Sequence, residues 1–190
     1  MGNSLLSREQ VHAWSESMSD SPEGHQAAIT RLLKDQRRIS RHVEENAQHL
    51  QGMTAGVAMY LVGVIVRMFD LAGGRLKKAT WDDLRSAEQR VSQQVEALLP
   101  VDEGFVGRAR QAPRAQAHIL DEALYALFVR DEGEDDEQEQ LDELEAFKVY
   151  LMMWVATEAL DANWTPPKDF DGLVDYTFTP VTDEERGASA

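Results

Sequence analysis

From Gly52 to Val66 the chain passes without a charged residue, and a second stretch, Phe147 to Val155, is apolar apart from Lys148. A helix that is apolar on nearly every side is stable only where neighbours surround it. These two stretches therefore belong at the centre of a core, packed against each other. The first is shorter than the roughly 18 to 20 apolar residues that a membrane span requires, so a buried core helix is expected and a membrane partner is not. With 43% hydrophobic residues in 190, the chain has material for one substantial core. The expected fold is all-α: an irregular bundle of five or six helices over residues 1–162. A short extended C-terminal arm, residues 163–190, would pack on the bundle or on a second subunit.

Helix boundaries are written in the caps. Ser7 with Gln10 has capping-box spacing, and Val11, Trp14 and Met18 recur at helical intervals, which predicts a first helix over about residues 8–18. Ser21, Pro22 and Glu23 form a second start, with serine as cap and proline in the first turn. From there Ile29, Gln36, Val43, Leu50, Val57, Val64 and Leu71 are spaced by seven, with Leu32, Ile39, Asn46, Met53, Tyr60 and Arg67 as a companion row. Such rows describe a seam facing another helix, here ordinary bundle packing, with one break expected at Gln51–Gly52 and so two helices over residues 22–72. Arg67 and Asp70 lie one turn apart and can neutralise each other. Gly73–Gly74 stops the helix.

Thr80 with Asp83 repeats the capping box, and Trp81, Leu84, Val91, Val95 and Leu98 trace one face up to Pro100. Residues 101–113 read as a connection with a helical turn around Phe105. A helix then follows Pro113 directly, carried by Ile119, Leu120, Ala123, Leu124, Leu127 and Phe128. A last long helix contains Leu141, Leu144, Phe147, Tyr150, Leu151, Trp154 and Val155 and ends near Asn163 and Pro166–Pro167. Beyond it Val174, Tyr176 and Phe178 alternate with polar residues, as in an extended arm with one buried side.

Charge and composition narrow the functional classes. A net charge of -15 opposes nucleic acid and anionic membranes at long range and favours positively charged partners. With no cysteine in the chain, thiolate zinc sites, cysteine nucleophiles and disulfides are excluded, and a cytoplasmic setting is expected. No glycine-rich loop stands between a strand and a helix, and no nucleophilic triad signature is present. No cofactor is expected from these patterns.

Two constellations could hold a divalent metal. His42, Glu45 and His49 are spaced by three and four residues, which puts them on one helical face, and His118, Asp121 and Glu122 could add ligands from another helix. Asp121–Glu122 and the Glu139-x-x-Asp142 spacing resemble the magnesium-binding carboxylates of all-helical nucleotide pyrophosphohydrolases. The family's Glu-Glu-x-x-Glu pattern is broken here by Tyr125. That resemblance implies carboxylates from facing helices gripping magnesium against substrate phosphates.

The strongest functional pattern is electrostatic. Arg31, Lys34, Arg38 and Arg41, with Arg37 adjacent, form a basic stripe, whereas ten of the fifteen residues from Asp131 to Glu145 are acidic and none is basic. The start of that run, with Asp131, Glu132, Glu134, Asp135, Asp136 and Glu137, is expected as a solvated loop. Patches of opposite sign attract within a molecule, between subunits or towards an external partner. The expected function is thus an acidic protein-interaction module of adaptor, inhibitor or immunity type, with a basic protein partner and a tendency to self-associate. The alternative is a metal-dependent helical-bundle enzyme acting on a nucleotide or another small phosphorylated substrate, and a third reading is mimicry of nucleic acid.

Overall fold

The computed structural model describes residues 3–129, 141–168 and 170. Among them nine helices and one two-stranded ribbon form an all-α bundle: α1 (Arg8–Asp20), α2 (Pro22–Asp35), α3 (Arg37–Ala47), α4 (Gly52–Leu71), β1 (Arg75–Leu76), α5 (Trp81–Ser92), α6 (Val95–Leu98), α7 (Phe105–Gln111), α8 (Ala117–Phe128), α9 (Glu143–Asn163) and β2 (Trp164–Thr165). The excess over the five or six expected helices comes from two short pieces and from a further break at Gln36. α6 is a single turn, and α7 is the connection around Phe105, whose buried ring packs against Phe128, Phe147 and Tyr150.

As their composition requires, α4 and α9 meet at the centre of the bundle. From Ala146 to Asp161 α9 is buried except along the line of Lys148, Leu151 and Glu158, and α5, α8 and α3 pack around it. Two of the predicted caps form as expected. Ser7 Oγ accepts from the Gln10 amide at the start of α1, and Thr80 and Asp83 cap each other reciprocally at α5. Ser21 precedes α2 but its side chain makes no capping bond; Pro22 alone opens that helix.

Residues 22–72 form three helices where two were expected. Beyond the break at Gln48–Gln51, the chain turns at Gln36, whose backbone (φ -92°, ψ 44°) leaves the helical region. The reason is tertiary. Gln36 is buried, donates to the Lys77 carbonyl at 3.0 Å and accepts from the Ala79 amide at 3.0 Å, so this polar member of the seam ties down the lead-in to α5. Ser40 Oγ donates to the Leu33 carbonyl at 2.8 Å, satisfying a group that the interruption frees. Likewise α8 starts at Ala117 and not directly after Pro113. Gln116 sits in the left-handed region (φ 46°), held there because its amide donates to Asp161 at 2.8 Å and to the Ser4 carbonyl at 3.0 Å while its oxygen accepts from the Leu6 amide at 2.9 Å.

Arg67 and Asp70 pair as expected, and Asp70 also lies 3.7 Å from Arg31. After α9 the chain forms β2, which pairs antiparallel with β1, Leu76 opposite Trp164. Trp164 caps the junction by donating from Nε1 to the Gly73 carbonyl at 2.8 Å and stacks edge-on against Phe69 and Phe170. The alternating residues Val174, Tyr176 and Phe178 lie outside the described residues. Only α4 among the described residues is long and apolar enough to cross a membrane by composition, and 56% of its apolar window is buried in the bundle.

Candidate functional site

α4 carries three glycines, Gly52, Gly56 and Gly63, which with Met59 share one face by helical spacing. At Gly63 that face touches α2 so closely that an added Cβ would stand 2.8 Å from Ile29 Cγ2 and 3.8 Å from Leu33 Cδ1. Nothing lies within 4 Å of a Cβ built at Gly56 or Gly52. Between these points α2 has ended at the Gln36 elbow, and α3 runs on without covering the same face. The opposite side of this half-helix is well packed, with Thr54 and Ala58 buried. Its start is pinned to α9 by Glu145, whose carboxylate accepts from Thr54 Oγ1 at 2.6 Å and from the Gln51 amide at 3.1 Å. The first half of α4 is thus anchored but bare on one side, and Met53 (42% exposed) and Tyr60 (49% exposed) border the bare strip.

Where α4 presents Met59 of this face, it meets the elbow and α3 across an open groove of about 940 Å³. Leu33 and Met59 provide apolar floor, Thr30 and Lys34 come from α2, Arg37, Ser40, Arg41, Glu44 and Glu45 from α3, and Gln48 closes the end. Arg41 and Glu45 neutralise each other across one turn at 2.7 Å. Lys34 and Arg37 have no ion pair with any described residue. Within a protein of net charge -15, the elbow end of the groove is therefore locally positive.

The turn at Gln36 divides the basic stripe read from the sequence. Lys34 and Arg41 reach the groove, joined by Arg37. Arg38 turns away to lie 5.3 Å over the Trp81 ring, a favourable cation–π placement, and Arg31 goes to Asp70. Of the acidic run, Asp131, Glu132, Glu134, Asp135, Asp136, Glu137 and Glu139 lie outside the described residues. At its far end Asp142 caps α9 by accepting from the Leu144 and Glu145 amides, both at 3.0 Å.

His42, Glu45 and His49 are not brought to one point. His42 is buried, 3.5 Å from Glu88 on α5. Burial lowers its pKa against the opposing pull of Glu88 and Glu45. Glu45 instead faces Arg41 in the groove, and among the described residues His49 reaches only Gln48. On α8, Glu122 faces His12 at 3.2 Å. Asp121 meets Arg8, Arg110 and Arg114, the last at 2.9 Å with its side chain almost wholly buried. Burial alone would raise the Asp121 carboxyl; His118 and Arg114, with Arg110 behind them, outweigh it and hold the group below the usual carboxylate range. This cluster ties α1 and α7 to α8. No group of three or more His, Asp or Glu side chains among the described residues is arranged to hold a metal ion.

A smaller cavity of about 390 Å³ beside Gly73–Gly74 has its charges mutually paired, Arg31 with Asp70 and Lys78 with Asp35. Sequence reasoning reached Lys34 and Arg41 through the basic stripe but missed the groove. The signal available to it was the glycine spacing on α4, which says nothing about what faces each glycine. Compared with protein-family models, curated proteins and solved structures, the chain gives no match.

Proposed function

We propose that this protein is an acidic protein-interaction module, of adaptor, inhibitor or immunity type, that holds a segment of a partner protein in the groove between the α2–α3 elbow and the first half of α4. The observation that carries the reading is the bare, anchored face of α4 at Gly52, Gly56 and Met59, bordered by exposed Met53 and Tyr60, with Lys34 and Arg37 across the groove and without an ion pair among the described residues. An exposed apolar strip rimmed by charge is the usual form of a binding surface. The acidic run from Asp131 to Glu137 gives the same chain a stretch of opposite sign for basic surfaces of the partner. Its setting is the cytoplasm, a reading supported by the cysteine-free composition.

Selection of a displayed random-peptide library against the full chain, followed by amide NMR mapping of bound peptides, tests the reading. Shifts concentrated between Thr30 and Met59 are expected. Failure to select any peptide, or shifts confined to other surfaces, would overturn it. Stoichiometric metal in the purified protein, lost in both Glu45→Ala and His49→Ala, would replace it with a metal-dependent helical-bundle enzyme.

A further inference from the structure

Resting on the interaction reading above, we infer that the segment the groove receives is an acidic amphipathic helix of a partner protein. It would lie along the Gly52–Gly56–Met59 face of α4 with its carboxylates towards Lys34 and Arg37.

The groove is walled by helices, whose backbone amides are bonded internally, and the β1–β2 ribbon is not among its lining residues. An extended peptide would therefore find no open strand edge to join, and docking has to proceed through side chains, as a helix does with residues at i, i+3, i+4 and i+7. The α4 face is already used this way once. At Gly63 it receives Ile29 of α2 in close contact, and the same face continues bare at Gly56 and Gly52 after α2 has turned off. A partner helix can thus approach α4 as α2 does, with small residues setting a short distance between axes.

Charge selects the sign. Lys34 and Arg37 stand on the elbow side of the groove without ion pairs among the described residues. Glu45 is matched by Arg41, and Glu44 lies about two turns beyond Arg37. Carboxylates flanking the apolar stripe of the incoming helix would meet Lys34 and Arg37, and a basic helix would be repelled there.

The test uses three fluorescein-labelled peptides of about 20 residues, long enough to run the length of α4. One is an amphipathic helix with glutamates flanking a leucine–alanine stripe, the second has lysines in their place, and the third has the acidic composition scrambled. Binding to the full chain is read by fluorescence anisotropy. The acidic helix should bind best, and more weakly as salt screens the pair. Lys34→Glu with Arg37→Glu should weaken it about tenfold or more. Gly56→Leu, at an exposed position where an added Cβ meets no atom within 4 Å, should weaken it comparably by filling the strip, whereas Gly24→Leu, where a Cβ is equally free but on α2, should not. Circular dichroism verifies folding of each variant.

Tighter binding of the basic helix, or equal binding of the scrambled peptide, overturns this inference and leaves the interaction reading standing. So does failure of every helix while selected library peptides still map to the groove. Absence of all peptide binding removes both. Binding to phosphatidylserine vesicles, or a homodimer, that the same substitutions abolish would also overturn the inference, since a membrane or a second copy would then occupy the face.

Discussion

α4 and α9 are the two long apolar helices of this protein, yet they are buried differently. α9 is buried from Ala146 to Asp161 apart from exposed Lys148 and partly exposed Leu151 and Glu158 on one line. α4 is enclosed between Leu61 and Phe69, while from Gly52 to Tyr60 it is packed on one side and bare on the other. The contrast has a local origin. α5, α8 and α4 close around α9, but α2 leaves α4 at the elbow, where Gln36 is drawn off towards Lys77 and Ala79. Equal hydrophobicity along a helix thus does not produce equal burial, and the uncovered part is where a partner can add the missing neighbour.

The largest test of this difference compares aromatic truncations. Trp154 in α9 is fully buried and packs on Tyr150, so Trp154→Ala should cost about 3–5 kcal/mol in urea unfolding. Tyr60→Ala in the open half of α4 should stay within about 0.5 kcal/mol. Comparable losses at both positions would mean that α4 is covered after all.

Next in size is the glycine pair. Gly63→Leu forces atoms into Ile29 and should destabilise by about 1–3 kcal/mol. Gly56→Ala meets nothing and improves helix propensity, so stability should rise by up to about 1 kcal/mol. The same sign of change at both glycines, measured by denaturant midpoints, would contradict the divergence of α2 from α4.

A smaller effect concerns the far side of α3, which His42 anchors against α5. Its folded-state pKa lies below 6.5 because burial disfavours the charged ring. The unfolded chain therefore takes up more protons in that window, so stability is complete above about pH 6.5 and declines as pH falls towards the folded value. His42→Gln should flatten this part of the stability–pH curve. An unchanged curve would show that α3 is not held through a neutral buried His42. At lower pH a second loss follows from Asp121, whose folded-state pKa is depressed: its contribution is present above the ordinary carboxylate value and disappears as pH falls through the depressed one.

The sequence made the centre of the bundle legible because a helix apolar on all sides has only one environment open to it. Caps at Ser7 and Thr80 and the Arg67–Asp70 pair were equally readable, since each rests on residues within a turn of one another. The elbow was not. Gln36 resembles a polar residue in a continuous seam, and its partners stand some forty positions away. The β1–β2 pair is too short for periodicity to reveal. The groove was hidden for a related reason: Gly56 and Gly63 look alike along the chain and differ only in what stands opposite them.

Because the chain contains no cysteine, a single thiol can report on that difference directly. Thiol-labelling rates would be measured for Gly56→Cys, with Val66→Cys in the buried half of α4 as the comparison, with and without the acidic helical peptide. Labelling at position 56 close to the rate of an unstructured thiol, slow labelling at position 66, and protection of position 56 by the peptide are the predicted results. Slow labelling at position 56 in the free protein would mean that the face is already covered, and would contradict the account.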